Sequence, residues 1–118
     1  MRCEDATLLD DKQVGRVGFR YVAVDVEHEG IVYTVATAGA PDRAIQEQTR
    51  LALQAIDDNL ADAGSDKTRL LSVQIFLEDM DQKSAMDEVW CDWVGEDWQG
   101  WPQRACVGAK LAPNTLVE

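Results

Sequence analysis

Between Pro41 and Gly64 the residues Ile45, Thr49, Ala52, Ile56, Leu60 and Ala63 recur at intervals of four, three, four, four and three. At 3.6 residues per turn those intervals return to one side of an α-helix, so the stretch predicts a single long helix with one apolar face. Pro41 stands where such a helix would begin, and Gly64 stops it ahead of the turn "GSDKT". A helix with one apolar stripe must lay that stripe on another layer, so the flanking segments have to supply a sheet.

They do. "YVAVDVEHEGIVYTVATA" holds two β-branched, partly alternating runs around Glu27-His28-Glu29-Gly30, which reads as a hairpin. "RLLSVQIFLE" reads as a strand, and residues 79–81 as a loop in which Asp81 can cap a second helix. On that helix Ala85, Met86, Val89, Trp93 and Val94 form the inward face, with Trp90 also fitting. "GEDWQGWP" is a loop, "RACVGAKL" a strand, "APN" a turn and "TLVE" the start of a last strand. The order is β-β-α-β-α-β-β, with a short extra strand near Val14 to Val17. The expected class is α+β, one domain over residues 1–118, a mixed sheet with both helices on one face. The bare opposite face needs cover, so oligomerisation is expected.

Eleven basic against 22 acidic residues give a net charge of -11. That field repels phosphate backbones and disfavours nucleic acid or an anionic membrane as partner. Three widely spaced cysteines, Cys3, Cys91 and Cys106, form no CxxC pair and suggest neither a zinc site nor a disulfide framework. With no apolar leader and no run of transmembrane length, the expectation is a reduced, cytoplasmic, soluble protein.

His28, the sole histidine, falls in the hairpin turn and reads as solvated, which removes His-based metal sites and Ser-His-Asp triads. Chemistry is left to arginine, carboxylates, backbone amides, water or a cysteine. In "WPQRACVGAKL" Arg104 opens a small, apolar strand, and a guanidinium there either marks the strand's exit to solvent or waits for an anion it can hold bidentately. Cys106, two residues on, points to the same side and reads as a small buried hydrophobe, since no histidine can activate it. Glu118 is a carboxylate able to serve as a base for a bound water. Trp98 and Trp101 flank the loop before Arg104 and are placed to shield a cleft, and "DDNLAD" reads as a solvated helix face.

"EQTRLALQAIDDNLADAGSD", "LLSVQIFLEDM", "AMDEVWCDW", "WPQRACVGAKL" and the final "VE", in that order, resemble the YjgF/RidA reactive-intermediate deaminase family, also called Rid or L-PSP-like. The chain looks closest to its YoaB-like branch, and Pro102 to Val107 carry the most telling motif. The resemblance implies a chorismate-mutase-like fold and a homotrimer with a central β-barrel, helices outside and clefts between subunits. It implies that Arg104 grips the carboxylate of an amino-acid-derived enamine or imine of the 2-aminoacrylate type. Water then attacks the imine carbon, releasing a 2-oxo acid and ammonia without a cofactor or metal. Glu118 matches the water-orienting or proton-transfer glutamate. Cys106, Tyr21 and Asp87 match cleft positions, Asp87 standing where an asparagine is usual. The competing reading is a non-catalytic trimeric protein that binds or senses a small carboxylate. An endoribonuclease activity, an old label of the family, fits poorly with a charge of -11.

Overall fold

The computed structural model describes residues 25–118; Tyr21 and the expected strand near Val14 to Val17 lie outside them. Contacts divide the chain into two compact units, Met1–Val35 and Ala36–Glu118. In the first, β1 (Asp25–His28) and β2 (Ile31–Thr34) pair antiparallel with His28 opposite Ile31, leaving Glu29 and Gly30 as a two-residue turn. Both carry positive φ, 52° and 81°, the backbone of a turn whose twist matches that of the flanking strands. His28 sits at its edge, exposed, with Nε2 3.7 Å from Glu29 Oε1.

The second unit runs α1 (Ile45–Asp62), β3 (Ser72–Leu77), α2 (Lys83–Val94) and β4 (Gln103–Gly108). β3 and β4 pair in parallel, as a strand-helix-strand crossover requires, with Val73 opposite Arg104, Ile75 opposite Cys106 and Leu77 opposite Gly108. The expected last strand shrinks to a single antiparallel bridge, Leu77 to Val117. Backbone bonds extend that contact on either side: Phe76 and Glu118 exchange N–H···O bonds at 2.8 and 3.0 Å, and Glu78 N donates to Leu116 O at 3.1 Å. The class is therefore α+β with two helices and small sheets.

Alternation along β3 buries Ile75 and Leu77 on one face, where they meet Ile45 of α1, Met86 and Trp90 of α2 and Val117 in one core cluster. Both helices thus cover the same face. The other face carries Gln74, Ala105 and Val107 to solvent, with Phe76 half-buried between them.

Helix boundaries depart from expectation for identifiable reasons. α1 starts at Ile45, four residues beyond Pro41, because Gln48 gathers the preceding loop: its Nε2 reaches Pro41 O at 2.9 Å, Arg43 O at 2.9 Å and Asn114 O at 3.0 Å. Its Oε1 accepts from Leu116 N at 2.9 Å, so one fully buried amide ties the start of α1 to the C-terminal segment. At the other end Gly64 adopts φ 77°, Ser65 N donates to Leu60 O at 2.8 Å and Gly64 N to Ala61 O at 3.0 Å. That is a Schellman closure, and it leaves Ala63 exposed instead of on the apolar face. Before α2 the capping carboxylate is Asp79, which accepts from Asp81 N at 2.9 Å, and Asp81 lies inside the resulting 3₁₀ turn Met80–Gln82. Within "DDNLAD", Asp57 is not merely solvated: its Oδ2 accepts from Trp93 Nε1 at 2.9 Å and links the two helices.

Candidate functional site

Arg104 is the second residue of β4, and pleat alternation turns it with Cys106 toward the helix-covered face. There it meets one side of α2. Lys83, Asp87 and Trp90 stand four and three residues apart, so they share a helix face above the strand. The Arg104 guanidinium lies 5.2 Å from the centroid of the Trp90 ring, and its Nη2 is 2.9 Å from Asp87 Oδ1. Asp87 Oδ2 accepts from Lys83 Nζ at 2.6 Å. The result is a Lys83–Asp87–Arg104 chain whose formal charges sum to +1, backed by an indole.

The two halves of this chain are unequal. The lysine bond is short and aligned. The arginine contact is an ion pair without good hydrogen-bond alignment, since the buried Asp87 Oδ1 has no aligned donor among the described residues. Burial pushes the Asp87 carboxyl up, but the Lys83 and Arg104 cations outweigh it and hold the group below the ordinary value of 3.8. The Arg104 side chain retains 21% exposure, so its remaining N–H groups can reach a ligand.

Cys106 sits beside this cluster, half-buried and packed against the core. Burial raises its thiol above the ordinary value of 9.0, with Arg104 and Lys83 opposing only partly. It is a neutral thiol near pH 7, which suits a lining group and not a nucleophile.

Glu118 is placed elsewhere. Its exchange of backbone bonds with Phe76 makes the two a directly opposed pair, so alternation puts its side chain on the face away from Arg104. The structure therefore brings Arg104, Cys106 and Asp87 together within the protomer and leaves Glu118 across the sheet. Trp98 and Trp101, expected to shield the arginine, are 69% and 51% exposed; Trp101 Nε1 instead donates to Gly95 O at 2.9 Å. The shielding aromatic is Trp90. Lys83 was not singled out from sequence at all, although its four-residue spacing from Asp87 was visible there. Among the described residues no cluster of His, Cys, Asp or Glu could hold a metal ion, and no helix is long and apolar enough to cross a membrane.

The family described as "Endoribonuclease L-PSP" matches residues 17–118. A RutC family protein of Haemophilus influenzae is 45% identical over 73 residues, 61% of this chain and 61% of that protein. Among solved structures, a Pseudomonas aeruginosa protein superposes with a TM-score of 0.78 at 35% identity, covering 84% of this chain and 86% of that one. A YjgF family member from Neisseria meningitidis gives 0.75 at 35% identity, covering 81% and 80%. The family match spans nearly the whole chain and the two structures superpose at 35% identity, so the chain belongs to the endoribonuclease L-PSP family, that is, the YjgF/RidA family.

Proposed function

We propose that the protein is an enamine/imine deaminase acting on amino-acid-derived intermediates of the 2-aminoacrylate type, as a member of the YoaB-like branch. The observation that carries this reading is Arg104: a guanidinium anchored on Trp90 at a strand start, partly exposed, in a cluster of net charge +1. A planar fork so held can seat a carboxylate bidentately and fix the adjacent imine carbon for attack. Water adds to the carbon of the protonated imine, both of its protons pass in turn to the nitrogen, and the C–N bond breaks to release ammonium, leaving the water oxygen as the carbonyl of a 2-oxo acid. A protonated imine is itself electrophilic, so the step draws on no metal or cofactor.

Glu118 is assigned the water-orienting or proton-transfer role. Because it lies on the sheet face opposite Arg104, the two meet only if the site is completed across a boundary between copies. A homotrimer whose bare sheet faces form a central barrel supplies such boundaries and covers Gln74, Ala105 and Val107. Tyr21 would contribute from the same cleft.

The test generates imines in situ with an amino-acid oxidase or dehydratase and follows 2-oxo acid release with wild type, Arg104→Ala and no added protein. Acceleration by wild type that is lost in the variant supports the reading. No acceleration across several amino-acid imines, from folded protein, overturns it. The Asp87 carboxylate on Arg104 favours a second reading, a non-catalytic carboxylate-binding member, which tight 2-oxo acid binding without turnover would identify. Ribonuclease action has no such support, given the charge of -11 and a lone exposed His28.

A further inference from the structure

We infer that Asp87 is a built-in competitor for the carboxylate site and that Lys83 is its relief partner: a carboxylate ligand enters by taking Arg104 while Asp87 stays on Lys83. This rests on the reading of Arg104 as the carboxylate site.

The geometry ranks the two contacts of Asp87. Lys83 Nζ to Asp87 Oδ2 is 2.6 Å and aligned, whereas Arg104 Nη2 to Asp87 Oδ1 is 2.9 Å and misaligned. The arginine contact is the weaker half and gives first. Asp87 is not stranded by the exchange, because its second oxygen keeps a full charge-assisted bond one helical turn away. Arg104 is not released either, because the Trp90 ring holds the guanidinium from its face. Lys83 stands at the first position of α2, where the helix dipole disfavours a cation, and N-terminal to its acid, the poorer order for a pair four residues apart. Local helix stability does not explain its placement; service to Asp87 does. With the ligand seated, two cations face two carboxylates, and the cluster is neutral.

Asp87 therefore sets affinity. It excludes weak anions that cannot displace it, and it lowers the affinity for every carboxylate by the strength of the contact they must break.

Calorimetric titration of the full-length protein with 2-oxobutanoate tests this in wild type, Asp87→Asn, Lys83→Met, the double variant and Arg104→Ala. Asp87→Asn, nearly isosteric, should tighten binding about fivefold, the scale of one partly exposed ion pair. Lys83→Met should weaken binding with Asp87 present, and by about threefold less once residue 87 is asparagine, since the coupling runs through that carboxylate. Arg104→Ala should abolish binding. If Asp87→Asn binds within about twofold of wild type, or more weakly, while Arg104→Ala abolishes binding, the competitor role is overturned and the carboxylate site stands. If neither wild type nor Asp87→Asn binds, the carboxylate site itself is wrong and the inference falls with it.

Discussion

Replacing Gln48 with leucine should destabilise the protein out of proportion to a one-residue change in α1. The buried amide serves three carbonyls, Pro41, Arg43 and Asn114, through Nε2, and one amide, Leu116 N–H, through Oε1. Two N–H groups on three acceptors means at least one is shared, so roughly three net hydrogen bonds are at stake at about 1 kcal/mol each. Leucine fills similar volume and leaves little cavity, but it strands Leu116 N–H at a further cost of about 1–3 kcal/mol. Its greater hydrophobicity returns about 1 kcal/mol. The net loss is about 3–5 kcal/mol. Urea unfolding at fixed protein concentration should show a lower midpoint with an unchanged slope. Hydrogen exchange at Phe76, Glu78 and Glu118 should also accelerate, because Gln48 holds the segment whose backbone pairs with β3. A loss below about 1 kcal/mol would refute the argument. It would mean that water, entering by the cleft lined by Thr37, Gly39, Pro41, Pro113 and Thr115, replaces the amide.

Leu77→Ala, at a fully buried position at the C-terminal end of β3, should cost about 4 kcal/mol by urea unfolding, against near-neutrality for Gln74→Ala on the exposed face. A thiol-specific reagent at pH 7 should modify exposed Cys91 well before Cys106, and Cys106→Ser should keep carboxylate binding; preferential labelling of Cys106 would contradict its raised pKa. Asp87 has a depressed folded pKa, so its contribution is complete above the unfolded value near 3.8 and is lost as pH falls below it. Thermal unfolding should therefore show wild type falling toward Asp87→Asn in acid; a difference that grows on acidification would reverse the sign and refute it.

What the sequence revealed and what it concealed divide along physical lines. The stripe on α1, the turn at Glu29-Gly30 and the strands at Ser72–Leu77 and Gln103–Gly108 are local: each follows from periodicity or from a positive-φ residue, and each was legible. Gln48 was not, because its partners at Asn114 and Leu116 lie 66 and 68 residues away, and a glutamine on a helix otherwise reads as surface. The capping role passed from Asp81 to Asp79 because "EDMDQK" offers two carboxylates two residues apart, and only the chain's path decides which one faces the free amide. At the site the sequence singled out Arg104, but its immediate partners are tertiary. Trp90 covers it in place of Trp98 and Trp101 because α2 packs on β4's inner face, whereas the 3₁₀ turn Trp98–Gly100 carries Trp98 outward.

The same packing explains how an acidic chain can hold an anion site. A net charge of -11 spread over the surface acts at distances where salt at cellular strength screens it, since the Debye length is about 8 Å. Contacts of 2.6 and 2.9 Å lie well inside that length, so at the guanidinium the local sum of Lys83, Asp87 and Arg104 outweighs the distant total. Trp90 strengthens the effect by displacing water from one face of Arg104. Asp87 then works in two directions. It keeps the half-buried arginine from standing as an uncompensated charge when the site is empty, and on the proposed reading it makes any incoming carboxylate do better than a tethered one. Under the proposed function, that requirement would favour ligands with a planar, unhindered carboxylate and a second group to hold, such as the adjacent C=N of an imine. It disfavours simple inorganic anions. On the proposed carboxylate reading, the acid that opposes the site is also what would make it selective.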